Sequence, residues 1–238
     1  MPRGNLRWLC VGVAASIVCG CATARPTVAP ATSVLGCLSE ATTAFKLGPV
    51  TYSFVGEFPL APGDAYGSIR KELMDELCRA YEWQDGDAAG LPAGTSVFEV
   101  EGYASFYRLG VLEGDSLTLF EATANEAAVT GRDWYDVDGK VRAIVLAKAD
   151  LTNRSVSKRI ATITDPEQVA RWVTGVLDAS VDRQERLVSL GEPVYALDYR
   201  LQDGTRTTLL YWPEHRWLQH LRPSGAFLAL VEEAIGWP

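Results

Sequence analysis

The feature that most restricts the fold is an alternating pattern in the C-terminal half of the chain. From Tyr195 to Leu201 every second residue is large and apolar, which is typical of a strand that buries one face. The run leads into Asp203 and Gly204, a pair that favours a type I′ turn, and residues 207–212 then return as a second strand. The pattern predicts an antiparallel hairpin over residues 195–212.

Three other patterns predict helices. The first covers residues 68–81, where apolar residues recur four positions apart. The second begins after Asp165, which suits an N-cap, with Pro166 in the first helical position. The third closes the chain and is capped by Ser224.

The remaining segments predict short strands and the connections between them. Runs rich in β-branched and aromatic residues cover residues 50–55, 97–101, 107–112, 117–122, 141–149, 159–163 and 216–218, whereas residues 84–94 and 123–140 are typical of loops. Together the elements predict an α+β fold, in which antiparallel β-sheets pack with about three helices. We expect two small domains, residues 37–125 and 141–238, after a disordered tether.

The N-terminus has the layout of a secretory signal peptide. Arg3 and Arg7 precede an apolar stretch over residues 8–18, and Gly20 supplies a small residue just before Cys21. This stretch is too short for a membrane-spanning helix, which needs about 20 apolar residues. The segment after it, residues 21–36, is rich in threonine and proline, which predicts a flexible tether.

The Gly20-Cys21 pair resembles the lipobox of bacterial lipoproteins, in which the cysteine is acylated and becomes the new N-terminus. The resemblance implies that residues 1–20 are a lipoprotein signal peptide and that Cys21 is the lipid attachment site. It also implies several acyl chains on that cysteine, which hold a protein firmly on the extracytoplasmic face of the cell membrane. A plain secreted protein, cut near residues 22–24, is the alternative.

The charge of the chain argues against nucleic acid as a partner. The sequence has 22 basic and 30 acidic residues, a net charge of −8, and removal of Arg3 and Arg7 with the signal peptide makes it more negative. An acidic surface repels phosphate backbones.

Two cysteines remain once the signal peptide and Cys21 are set aside. Cys37 and Cys78 form an even pair in an oxidising compartment, which favours a disulfide. Two separate thiols are the alternative, because the sequence does not show whether the side chains meet. This pair alone does not predict zinc, which takes four ligands in structural sites. The absence of glycine-rich phosphate motifs predicts no cofactor.

The second half also resembles the YhfM-like domains of Gram-positive lipoproteins. The matching residues are the helix start at Thr164-Asp165-Pro166-Glu167, the hairpin tip at Asp203-Gly204-Thr205 and the aromatic pair Tyr211-Trp212. The resemblance covers residues 141–235 and implies no reaction and no catalytic residues.

Two groups of residues near the hairpin are candidates for function. Trp212 and Trp217 flank a turn, and exposed aromatic residues of this kind can form a ligand surface. Glu214, His215 and His220 lie close together in sequence, but their spacing differs from zinc-binding helices, so we expect loop histidines without metal.

Two acidic patterns have simpler structural explanations. Asp136, Asp138 and Gly139 resemble the start of a calcium loop, but position twelve is an alanine, so the pattern predicts a turn. Glu99 and Glu101 share one face of a strand and favour an ordinary polar face over a catalytic carboxylate pair.

The sequence as a whole predicts a membrane-anchored extracytoplasmic lipoprotein that acts as a non-enzymatic binding or accessory module of the cell envelope. Its expected partners are the membrane, through the N-terminal lipid, and an envelope protein or glycan. No catalytic residues are predicted for this function. One alternative is an envelope hydrolase with a site near His215 and His220. Another is an inhibitor or regulator that binds a partner through its acidic face, with salt-sensitive association.

Overall fold

The chain forms mostly β structure. The computed structural model describes residues 43–73, 81–114, 116–151, 155–184 and 191–237. Within these ranges there are fifteen β-strands and two α-helices, so the predicted α+β fold with about three helices is wrong. Neither of the described helices is long and apolar enough to cross a membrane.

The helix predicted over residues 68–81 is wrong in its described part. Ile69 and Leu73 are buried, at 2% and 1% exposed, but their backbone N–H groups donate to the carbonyls of Thr95 and Ala88. The apolar spacing therefore identified buried positions but not the backbone partners, which belong to neighbouring segments. Residues 74–80 lie outside the described residues.

Eight strands form the first sheet. They are β1 (Ala44–Leu47), β2 (Val50–Phe58), β3 (Pro62–Ser68), β4 (Lys71–Glu72), β5 (Asp87–Ala89), β6 (Ser96–Val100), β7 (Arg108–Glu113) and β8 (Ser116–Asn125), in the order β3-β6-β7-β8-β2-β1-β5-β4. Neighbours are antiparallel except for the parallel pair β4 and β5. The four predicted strands between residues 50 and 122 are confirmed. The loop predicted over residues 84–94 is wrong in part, because it contains the buried strand β5.

Seven strands form the second, antiparallel sheet. They are β9 (Val141–Asp150), β10 (Ser155–Ile163), β11 (Ser180–Val181), β12 (Val194–Leu201), β13 (Arg206–Trp212), β14 (Trp217–Leu218) and β15 (Leu221–Arg222), in the order β10-β9-β12-β13-β14-β15-β11. The register places Ala196 opposite Leu210 and Arg200 opposite Arg206, which confirms the predicted hairpin.

The turn of this hairpin differs from the prediction. A type I′ turn needs positive φ at both central residues, but of Asp203 and Gly204 only Gly204 has it, at 89°. The N–H of Leu201 donates to the carbonyl of Thr205, at 2.9 Å, and closes a loop of three residues, 202–204. Gly204 is the last residue of this loop. The predicted type I′ turn is therefore wrong. The loop still requires glycine at position 204, because its φ is positive.

Both helices begin where their capping residues predict. In α1 (Pro166–Leu177) the Asp165 carboxylate accepts from the N–H of Gln168, and in α2 (Gly225–Ile235) the Ser224 hydroxyl accepts from the N–H of Phe227. These bonds satisfy N–H groups that have no partner within the helix.

One cluster of buried apolar side chains includes residues from both sheets and both helices. Phe45 and Tyr52 belong to it in the first sheet, and Leu197 and Tyr211 in the second. The connection predicted over residues 123–140 contributes Trp134, which is 4% exposed. The segments predicted as separate domains, residues 37–125 and 141–238, are therefore in contact.

Candidate ligand-binding site

The second sheet has one face toward the core and one face away from it. Leu197, Tyr199 and Leu209 belong to the hydrophobic core. Because side chains alternate along a strand, the even-numbered residues of β12 and β13 face the opposite side. We call this side the outer face.

A groove of about 350 Å³ lies on the outer face. Its floor is formed by Val145, Ala147 and Ala196, on the two interior strands β9 and β12. These side chains are small, so the longer residues on the flanking strands stand above them. The volume falls within the range of small-molecule sites, roughly 300–1,000 Å³.

Charged residues surround this floor. Arg159 on β10, Arg200 on β12 and Arg206 on β13 line the groove together with Asp198 and Thr208. We call these three arginines and Asp198 the arginine groove.

The charges of the arginine groove are only partly compensated. Nε of Arg200 lies 3.5 Å from a carboxylate oxygen of Asp198, whose side chain is 14% exposed. The hydroxyl of Thr208 lies 3.4 Å from the other oxygen of the same carboxylate. Arg159 and Arg206 are exposed and form no ion pair with any residue that the structure describes. Three guanidinium groups against one carboxylate leave two positive charges in a chain whose net charge is −8.

The outer face also carries the two predicted tryptophans. The rings of Trp212 and Trp217 stack on each other, with centroids 4.6 Å apart. Trp212 is 6% exposed and Trp217 is partly exposed. Only the ring of Trp217 is therefore accessible to a ligand, and the pair does not form an open aromatic surface. Their role as a ligand surface stays a prediction, and the structure places them on the same face as the arginine groove.

The two histidines have separate surroundings. Nε2 of His215 lies 2.8 Å from the carboxylate of Glu192, at the surface. The ring of His220 stacks on Trp134 at 4.8 Å, and burial lowers the pKa of this imidazole below its ordinary value. Over the described ranges, no three His, Cys, Asp or Glu side chains are grouped so that they could hold a metal ion. The hydrolase alternative near His215 and His220 stays a prediction.

The acidic patterns of the sequence take part in local structure. Asp136 accepts from the N–H of Ala104, at 2.7 Å, and forms an ion pair with Lys140 at 2.6 Å. Gly139 has φ of 67° in the turn that follows, as expected for a turn rather than a calcium loop. Glu99 lies in β6, whereas Glu101 lies just beyond it and is exposed.

A second polar cluster is enclosed where the two sheets meet. Arg108 on β7 is fully buried, and its Nε and Nη2 donate to one oxygen of the Glu121 carboxylate, at 3.1 and 2.7 Å. Its Nη1 donates to the hydroxyl of Thr205, at a distance of 2.6 Å. Thr205 belongs to the hairpin of the second sheet. The rings of Tyr103 and Tyr107 each lie 4.7 Å from its guanidinium carbon.

The charges of this internal cluster are compensated. Thr207 donates to the second oxygen of Glu121, and Tyr103 donates to Asp203 at 2.5 Å. Burial, together with the hydrogen bond to Asp203, raises the pKa of Tyr103 to about 12. A buried ion pair with these additional hydrogen bonds links the sheets and leaves little access for a ligand, so we interpret the cluster as structural.

Local patterns in the sequence indicate part of the arginine groove. The predicted hairpin has Asp198 and Arg200 on its polar positions, and its register places them opposite Thr208 and Arg206. The place of Arg159 in the groove could not be predicted from a local pattern, because it depends on how β10 pairs with β9. The predicted lipid site Cys21 and the predicted disulfide pair Cys37 and Cys78 lie outside the described residues.

Comparisons of the chain with protein-family models, curated proteins and solved structures find no match. The resemblances to bacterial lipoproteins and to YhfM-like domains therefore stay predictions.

Proposed function

We propose that the chain is an extracytoplasmic lipoprotein, anchored to the cell membrane through Cys21, and that its folded body is a non-enzymatic binding module of the cell envelope. The basic start, the short apolar stretch and the Gly20-Cys21 pair support the anchor. The tether, residues 21–36, holds the folded body away from the membrane.

The arginine groove is the binding site in this proposal, and its ligand is an anion. The observation that carries the proposal is the concentration of Arg159, Arg200 and Arg206 around one groove in an acidic chain. Guanidinium groups bind carboxylates and phosphates in a bidentate manner, and Arg159 and Arg206, which form an ion pair with none of the described residues, are available for this. The guanidinium groups of Arg159, Arg200 and Arg206 supply charge for holding an anion, so binding is the activity that we propose for this groove.

The anchor is tested by membrane fractionation of cells that produce the wild-type chain or the Cys21→Ala variant. We expect the wild type in the membrane fraction and the variant in the soluble extracytoplasmic fraction. Cys19→Ala is the matched control and is expected to stay in the membrane fraction. Retention of Cys21→Ala in the membrane would contradict the lipid anchor.

The binding site is tested by NMR titration of the purified chain with inorganic phosphate. We expect saturable shifts at the backbone amides of β9, β12 and β13, and their loss in the Arg159→Ala/Arg206→Ala double variant. Arg132→Ala removes an exposed arginine that pairs with Asp178 elsewhere, so it should leave the titration unchanged. Shifts spread evenly over the surface, or none, would overturn the proposed site.

A further inference from the structure

We infer that the ligand of the arginine groove is a sugar carrying a phosphate monoester. This inference rests on the proposed function, because it names the chemical class of the anion bound at the same groove. It is carried by the charge of the groove, by the order of its polar residues and by the strands that form its floor.

The charge favours a dianion. Among the described residues, three arginines and the single carboxylate of Asp198 line the groove, so its net charge is +2. A phosphate monoester carries about −1.5 to −2 at pH 7, whereas a carboxylate or a phosphate diester carries about −1. The monoester therefore matches the groove more closely than either of the other anions.

The order of the polar residues favours a ligand with hydroxyl groups next to its phosphate. Arg200 and Arg206 are paired across β12 and β13, and Asp198 and Thr208 form the next pair on the same face. Two residues along a strand cover about 7 Å, which is comparable with the distance from a sugar phosphate to its distal hydroxyls. In that position the Asp198 carboxylate accepts from sugar hydroxyls and the Thr208 hydroxyl either donates or accepts.

The floor favours a sugar over a peptide. The backbone groups of β9 and β12 are already used, since both are interior strands with a partner on each side. An extended peptide would find no free backbone partners on this face, so it could not bind by adding a strand to the sheet. Val145, Ala147 and Ala196 are only 6%, 2% and 2% exposed, so the polar side chains around the floor, rather than the floor itself, would hold a sugar ring.

The test is isothermal titration calorimetry on the purified full-length chain with five probes. These are glucose 6-phosphate, inorganic phosphate, glucose, glucuronate and a tetraglutamate peptide, at low and at physiological salt. We expect glucose 6-phosphate to bind at least about tenfold more tightly than inorganic phosphate, since the hydroxyl contacts add to the phosphate contacts. Glucose alone should show no measurable binding.

Two variants separate the roles of the residues. Arg206→Thr should weaken glucose 6-phosphate and inorganic phosphate alike, by at least about tenfold, because it removes a charged contact to the phosphate. Asp198→Asn should weaken glucose 6-phosphate relative to inorganic phosphate, because it affects the hydroxyl contacts. Circular dichroism and urea unfolding of each variant confirm that the fold is retained.

Each other outcome overturns a different statement. Equal affinity for inorganic phosphate and glucose 6-phosphate would overturn the sugar phosphate and leave the anion site standing. Tighter binding of glucuronate would overturn the phosphate monoester in favour of a sugar acid. Tighter binding of a tetraglutamate peptide, used as a fifth probe, would overturn the sugar. Failure of every anion to bind would overturn the proposed binding site itself.

Discussion

Arg200 and Arg206 lie directly opposite each other across β12 and β13, on the outer face of the second sheet. Like charges in this arrangement destabilise an antiparallel pair. Arg200 is partly compensated by Asp198, at 3.5 Å, whereas Arg206 has no ion pair among the described residues. Such a pair destabilises the free protein slightly, and an anion bound between the two guanidinium groups, as proposed, would relieve the repulsion.

Removal of this repulsion should stabilise the free protein. We expect Arg206→Thr to raise the free energy of unfolding by about 0.2–1 kcal/mol at low salt, because threonine also suits a strand. The gain should shrink in 1 M NaCl, where charges are screened within about 3 Å. Urea unfolding at both salt concentrations measures the effect. Arg132→Thr is the control, since it removes an attractive contact to Asp178 and should give no gain. A loss of stability at low salt would show that the two arginines do not repel each other.

The buried Arg108 should contribute strongly to stability. Arg108→Met leaves the Glu121 carboxylate, only 16% exposed, without its cation, and breaking such a pair costs about 3–5 kcal/mol. Urea unfolding of the variant measures the loss. The Arg108→Met/Glu121→Leu double variant should recover part of it, because no uncompensated charge remains. A single variant as stable as the wild type would contradict the structural role of this cluster.

The contact between the two helices should depend on Gly175. A glycine inside a helix costs about 1 kcal/mol relative to alanine, so propensity alone predicts that Gly175→Ala stabilises. In the structure a Cβ at this position would overlap the ring of Phe227 on α2. We therefore expect Gly175→Ala to destabilise, by about 1–3 kcal/mol.

The control for this substitution is Gly225→Ala, at the first position of α2. A Cβ there meets no atom within 4 Å, so this variant should be neutral or slightly stabilising. Thermal unfolding followed by circular dichroism compares the two. If both variants were equally stabilised, the close approach of the helices at Gly175 would be wrong.

His220 should make stability depend on pH below neutrality. Burial lowers the pKa of His220 in the folded state, whereas the unfolded imidazole titrates near 6.5. Below about 6.5 the unfolded state binds the proton first, so the free energy of unfolding falls as the pH falls. The contribution levels off once the folded imidazole is also protonated.

The His220→Phe variant isolates this effect, because phenylalanine keeps a ring against Trp134 but does not titrate. Unfolding of both proteins by urea between pH 5 and 8 gives the comparison. We expect the stability of the wild type relative to the variant to decrease as the pH falls through 6.5. Parallel curves over this range would contradict the role assigned to His220.

Part of the fold could be predicted because its signals are local. The hairpin follows from the alternation at residues 195–212, and the helix starts follow from Asp165 and Ser224, whose side chains satisfy nearby N–H groups. These patterns act over a few residues, so they do not depend on the rest of the chain.

The helix predicted over residues 68–81 shows where such reasoning fails. Its spacing identified Ile69 and Leu73 as buried, but their N–H groups bond to Thr95 and Ala88, which are distant in sequence. The buried strand β5 could not be predicted either. Its glycine- and aspartate-rich surroundings are typical of a loop, and its pairing partners are distant in sequence.

The sequence by itself determined the hairpin, its apolar and polar faces, the helix caps and the acidic charge of the chain. It also carries the signal and cysteine on which the proposed anchor rests. Only the tertiary structure decided that the fold is mostly β and that Arg159 lines the same groove as Arg200 and Arg206. The physical reason is that strand pairing joins residues far apart in the chain, and one sequence does not show which segments will pair.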